Sequence, residues 1–248
     1  MNELALLLCG RDAGGVAGDA LKQLSNSITG FSSRSVKFLT LVDHEDTLSF
    51  GPFCARVLLE NGCAAIIGRL DSFRMMYLSE FQSQPDYEYG RRIRSAFSWT
   101  GDVIPDEKQN NLWNVDHDHS KISRALFSKH FEHIFWKPAL NRLLDHVSTL
   151  ASDPLLVDIK NIDPDRFIDE MKGKSGQLYS TLSKGVHWEF FSSTLLFDEV
   201  TVKNSIRESF IIVANLGLAS HFVHTAYASL PHSDAVEYYK AIIRKLDS

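Results

Sequence analysis

Paired cysteines, excess basic charge and the usual catalytic signatures are what this sequence lacks. Its three cysteines (Cys9, Cys54 and Cys63) form no C-x-x-C and leave one over. That count argues against a disulfide framework and fits reduced thiols in a cytoplasm. The net charge of −5 and a pI near 6.0 argue against a general nucleic-acid binder, which carries a basic excess, while leaving a local basic patch open. No H-E-x-x-H occurs, and no histidine has a glutamate three residues before it, so neither a zincin helix nor a ferritin-type di-iron helix is written here. No nucleophile elbow G-x-S-x-G is present, and no cysteine stands in a recognisable protease context.

Nucleotide loops fare no better. The G-K-S at residues 173–175 has Ile168 where a P-loop needs its first glycine. "CGRDAGGVAG" lacks both the Walker and the dinucleotide spacing, and reads as a kinked or broken helix. The dense D-H-D-H at residues 116–119, and the trio His130, Glu132 and His133, supply metal-ligand types, but adjacent loop residues point apart. They read as exposed polar segments. No metal and no cofactor is expected.

What is there is an ordinary globular composition, 44% hydrophobic and 23% charged, over 248 residues, enough for a sizeable core. Residues 209–230 carry no Asp, Glu, Lys or Arg over a length that could cross a bilayer. Asn215, His221, His224, Thr225 and three serines would be costly in lipid, so a buried central helix is expected and not a membrane span. His221 and His224, three apart, are expected on one face of that helix, as interior histidines satisfied by hydrogen bonds. Glu3 replaces the basic n-region of a signal peptide, and the apolar run around it is too short for an anchor.

Spacing of apolar residues predicts a mainly α bundle of six or seven helices, with at most a minor β element. The chain divides into an N-terminal helical segment (1–82), a long irregular insertion or linker (83–120) and a C-terminal helical segment (121–248), open to being one continuous domain. A first helix runs to about Ile28 across the glycine-rich interruption, and residues 36–42 either extend it or form a short strand. A clearer helix starts near Pro52, whose missing N–H costs nothing in a first turn. Ile66, Leu70, Phe73, Tyr77 and Phe81 then form its apolar stripe. Gly62 and Gly68 lie among small residues and call for a closely packed neighbour. Pro138 must bend or break the next helix near Trp136, another helix follows Asp163, residues 186–200 could form a short strand, and an amphipathic helix closes the chain.

Two stretches carry candidate chemistry. Arg91, Arg92 and Arg94 lie beside Tyr87, Tyr89, Phe97 and Trp99, an alternation suited to phosphate contact and base stacking or to a protein hot spot. In "QLYSTLSKGVH", Tyr179, Ser183 and His187 recur at every fourth position and form one polar-edged stripe on a helix.

A helix reading Y-x-x-x-S-x-x-x-H, with "LS" at 182–183 and "VH" at 186–187, resembles a motif of HEPN-like helical-bundle proteins. These are prokaryotic domains of antiphage, toxin–antitoxin and abortive-infection loci. The resemblance spans residues 166–227, about a quarter of the chain. It implies a cytoplasmic subunit with protein partners, such as an ATPase or nuclease, or a homodimer. Catalytic members act as metal-independent RNases through an Arg followed four to six residues later by His. Arg124 and His130 in "RALFSKH" have that spacing, although alanine follows Arg124 where a polar residue is usual, and no arginine precedes His187 at that distance. The stripe therefore reads first as a packing or docking seam. The expected function is a non-catalytic interaction subunit, with a metal-independent RNase and a nucleic-acid adaptor as alternatives.

Overall fold

The computed structural model describes residues 2–40, 44–84, 87, 112–116, 126–187 and 198–247. Among them every regular element is helical: α1 (Asn2–Cys9), α2 (Val16–Thr40), α3 (His44–Leu70), α4 (Ser72–Gln82), α5 (Lys129–Phe131), α6 (Lys137–Ser148), α7 (Val157–Lys160), α8 (Phe167–His187), α9 (Glu199–Ser220) and α10 (His232–Asp247). The mainly α bundle expected from periodicity is thus the fold. One contiguous apolar cluster runs from Leu4 to Leu246 and draws on α1, α2, α3, α8, α9 and α10 together.

Two relations position everything else. α2 and α3 form an antiparallel hairpin: Ser27 of α2 accepts a hydrogen bond from Asn61 of α3 at 2.8 Å, and Phe31 meets Phe53 edge-on at 5.9 Å further along. α3 and α9 instead run side by side in the same direction. Gly51 lies against Val202 and Ile206, Gly62 against Val213, and Arg69 against Ser220. A Cβ on Gly62 would stand 2.8 Å from Val213 Cγ1, so the close approach anticipated for this glycine is real. Met75 folds back onto Gly68 in the same manner.

Several local expectations need correcting. Helix α1 ends at Cys9 and α2 starts at Val16, so "CGRDAGG" breaks the first helix outright; α2 then absorbs residues 36–40 as helix. Pro52 is no helix start. α3 begins at His44 and passes through Pro52, which removes one interior bond from a turn packed against α9. The stripe from Ile66 to Phe81 is not one buried face, because the helix is interrupted at Asp71. Ile66 and Leu70 belong to the core, whereas Phe73 and Tyr77 on α4 are 66% and 62% exposed. Pro138 occupies the first turn of α6, and the disturbance it forces is a π-helical turn at Glu132–Trp136.

Residues 209–230 are not one helix either. α9 begins at Glu199, capped by Asp198, whose carboxylate accepts from Thr201 N at 2.7 Å, and it stops at Ser220. Residues 221–230 continue as turns. His224 is exposed while His221 is buried, so the two do not share a helical face. By length and composition, the one described helix apolar enough to span a membrane is Glu45–Leu70 of α3, and 61% of that window is buried against its neighbours. Residues 188–197, most of the expected short strand, lie outside the described residues.

Candidate functional site

The polar stripe on α8 resolves into a seam. Tyr179 faces α3, where Arg56 Nη2 donates to the phenol oxygen at 2.7 Å and the guanidinium sits 4.6 Å from the ring centroid. Arg56 also binds Glu60 one turn along, at 3.0 Å. Ser183 turns inward along its own helix and donates to the Tyr179 carbonyl at 2.8 Å. Of the two stripe residues whose side chains are described, Tyr179 is the one that reaches α3; the His187 side chain lies outside the described residues. Tyr179→Phe deletes one partly buried charge-assisted bond but keeps the ring under the guanidinium. It should lower the unfolding free energy by about 1 kcal/mol in a urea titration, with Tyr179→Ala costing clearly more.

Of the Arg-x₅-His pair, Arg124 lies outside the described residues, as do Arg91, Arg92, Arg94 and Trp99. His130 is buried at the start of the π turn, with Nε2 3.3 Å from the Leu112 carbonyl and Trp113 edge-on at 5.8 Å. His133 approaches the same indole at 5.5 Å. Buried Glu132 is neutralised by Lys129 at 2.8 Å and Lys137 at 3.5 Å, which also reach Asp169 within α8 and Asp165 just ahead of it. This network clamps the α5–α6 region to α8. Among the described residues no three His, Cys, Asp or Glu side chains converge as a metal set.

The strongest polar concentration in the described core is one that sequence reading missed. Arg69, in the last turn of α3, is 1% exposed and has no carboxylate partner among the described residues. Its Nε donates to the Tyr227 carbonyl (3.0 Å), Nη1 to Ser220 Oγ (2.6 Å), and Nη2 to Ser229 Oγ (3.1 Å) and His221 Nδ1 (3.0 Å). The Leu230 amide also donates to His221 Nδ1, at 3.1 Å. A nitrogen accepting from two donors carries no proton, so the His221 proton is on Nε2 and donates to the Leu7 carbonyl at 2.8 Å. The ring is neutral and its tautomer fixed.

What replaces the missing carboxylate is backbone. Because α3 and α9 run in the same direction, their C-termini meet at one end, and the end of α1 joins them through Leu7. The partial negative charge of helix C-termini falls around the guanidinium. Burial lowers the Arg69 pKa to about 10, which leaves it charged near neutrality. Burial pushes the neighbouring Cys9 thiol up to about 12, which makes it an inert core group. The same residues lock the 221–230 turn from every side: Arg142 of α6 donates to the Phe222 carbonyl at 2.8 Å, and Arg11 N to the Ala228 carbonyl at 2.9 Å. Gly10, at φ +79°, lies so close to Ala228 that no side chain would fit. This cluster is shut off from solvent and organises structure.

The open surface lies on the other side of α3. α4 turns one edge, with Met75, Leu78 and Gln82, toward α2 and α3, where with Leu24, Asn61 and Tyr179 it lines a groove of about 750 Å³. Its opposite edge carries Phe73, Tyr77 and Phe81 stacked on one another at 6.5 and 6.3 Å, with Tyr87 edge-on to Phe81 at 5.7 Å. Solvent-facing large aromatics in a row are unusual where a core could have taken them. The i, i+4, i+8 spacing of these rings was visible in the sequence; the exposure of Phe73 and Tyr77 was not.

No protein family matches this sequence, and no curated protein or solved structure does so either.

Proposed function

We propose that this chain is a non-catalytic helical interaction subunit, cytoplasmic, serving a prokaryotic antiphage-defence or toxin-type assembly. The observation that carries the reading is the aromatic ladder on α4. Phe73 and Tyr77 are mostly exposed and held in register by stacking, on a helix whose inner edge packs against α3. Rigid aromatics presented at low entropic cost are the residues that dominate protein–protein contacts. Arg69, His221 and Glu132, by contrast, are engaged in holding the fold: Arg69 and His221 bind each other and backbone, and Glu132 is paired to two lysines. The assembly named here follows the Y-x-x-x-S-x-x-x-H resemblance on α8, with an ATPase or nuclease subunit as the partner it implies.

Tagged full-length chain, recovered from its native host, should bring down a partner in fixed stoichiometry. Phe73→Ser/Tyr77→Ser/Phe81→Ser should release that partner without changing the thermal midpoint by more than a few degrees, since the rings lie outside the core. RNA cleavage in EDTA that disappears in His130→Ala or His187→Ala would overturn the non-catalytic reading in favour of an HEPN-type RNase. Salt-sensitive nucleic-acid binding lost in Arg91→Ala/Arg92→Ala/Arg94→Ala would favour an adaptor instead.

A further inference from the structure

We infer that the groove between α2, α3, α4 and α8 binds a small aliphatic amine, held as its ammonium ion by acceptors on α3 and in the last turn of α4. The site lies on the other edge of α4 from the aromatic ladder, so it stands apart from the proposed function. At about 750 Å³ the groove suits a small organic molecule and is far larger than a single ion needs.

Its lining decides the charge of the ligand. No lysine, arginine or histidine lines the groove, so nothing in its walls would pair with a phosphate or a carboxylate. The one charged lining residue is Glu60. Arg56, outside the lining, takes one oxygen of that carboxylate at 3.0 Å and directs its Nη2 to the Tyr179 phenol oxygen at 2.7 Å. The other Glu60 oxygen has no hydrogen bond among the described residues. Asn61 commits its amide nitrogen to Ser27 at 2.8 Å, which leaves its side-chain oxygen, a group that can only accept. Ser79, Gln82 and Ser83 bring in the last turn of α4, where the partial negative charge of a helix C-terminus gathers and no basic side chain offsets it. These groups accept, so the ligand must donate.

The rest of the lining decides what the donor is attached to. Ala20, Leu24, Ala64, Met75 and Leu78 give apolar walls, which a hydrated ion would leave uncovered and a carbon chain would cover. A bare divalent cation is also poorly served, since calcium or magnesium gathers six or more oxygens and one carboxylate lines the groove. An alkylammonium satisfies both halves of the site.

Isothermal titration calorimetry of the purified full chain with putrescine, at neutral pH and low salt, reads this directly. Wild-type protein should bind with a Kd of roughly 0.1–1 mM, in keeping with so small a ligand. Butanediol and succinate, its uncharged and anionic four-carbon counterparts, should give no binding heat up to about 10 mM. Glu60→Gln should weaken putrescine about tenfold, and Ala64→Phe, which puts a ring into the groove, should abolish binding. Glu80→Gln changes the net charge equally on an exposed α4 side chain outside the lining, and should leave the Kd within about twofold. The inference is overturned if putrescine gives no heat up to about 10 mM, or if butanediol or succinate binds as well as putrescine. It is overturned equally if Glu60→Gln weakens binding no more than Glu80→Gln does, because general attraction to an acidic chain would then be the cause. Should Ala64→Phe fail to fold, the two glutamine variants decide the matter by themselves.

Discussion

Replacing Arg69 with alanine is expected to lower the unfolding free energy by about 4 kcal/mol, a large fraction of what a domain has. Four donor contacts disappear at once, to Tyr227, Ser220, Ser229 and His221, and the stem leaves a cavity among Leu7, Cys9 and α9. The groups left behind fare unequally, which gives the test its edge. Ser220 and Ser229 still donate to the Gly217 and Ala226 carbonyls, and His221 Nδ1 still receives the Leu230 amide. Of the four, the Tyr227 carbonyl is the one left with no second hydrogen bond among the described residues. Arg69→Met, which refills the space without charge, should therefore cost about half as much as Arg69→Ala. Urea unfolding followed by circular dichroism measures both. Arg69→Ala within about 1 kcal/mol of wild type, or Arg69→Met worse than Arg69→Ala, would sink the account of this cluster.

Arg69 also marks where sequence reading stopped. Its partners lie 151 to 160 positions away, so no window of local periodicity contains both sides of the contact. Residues 209–230 looked like one continuous buried helix because the charge they face comes from α3. With Arg69 supplying donors, the chain can leave the helix at Ser220 and still bury its carbonyls. The α4 ladder shows the converse problem. Its spacing was legible and correctly helical, but periodicity reports which residues share a face and not what covers it. A single interruption at Asp71 was enough to divide Ile66 and Leu70, in the core, from Phe73 and Tyr77, on the surface. Pro52 misled for a different reason. Proline favours first turns statistically, but an interior turn packed tightly through Gly51 tolerates the lost bond. The helical class, the glycine-rich interruption after Cys9 and the disturbance before Pro138 were readable because each depends on residues close in sequence; at Gly62 the small residues showed that a neighbour comes close, but not that the neighbour is Val213.

The seam through Tyr179 and the ladder on α4 are consistent with one division of labour. Polar side chains at helix crossings, Arg56 with Tyr179 and Arg69 with His221, fix how the helices sit. With α3 anchored at both its middle and its end, α4 is presented from a rigid base by the fold of Met75 against Gly68. A contact surface gains affinity when its residues are already in place before the partner arrives.

Stability should fall steadily as pH drops below about 6.5, the ordinary pKa of an exposed imidazole, and His221 should be the main cause. Burial, and then the adjacent Arg69 charge, hold its pKa well below that value in the folded protein. The geometry agrees: protonating Nδ1 would set an N–H against two donors, Arg69 Nη2 and the Leu230 amide. The Leu7 carbonyl that accepts from the ring favours the charged form, but burial and the Arg69 and His232 charges outweigh it, and Cys9 is a neutral thiol. Below pH 6.5 the unfolded chain binds a proton that the folded chain refuses. Stability is thus complete above that pH and declines toward the folded pKa, by at most about 1.4 kcal/mol per pH unit for one such histidine. His232, also lowered by burial and by His146, adds in the same direction. The carboxylates with lowered pKa values, Glu3, Asp153 and Asp198, start from ordinary values of 4.5 or below and so act only in stronger acid. The interval from pH 7 to pH 5 therefore isolates the histidines. Urea titrations across it should show wild type losing up to about 2 kcal/mol through His221, the limit for a ring that stays neutral throughout. His221→Asn keeps an oxygen acceptor for Arg69 and Leu230 but cannot titrate, so it should start less stable and lose well under half as much. An unchanged slope in that variant would mean that the buried imidazole is not what acid attacks.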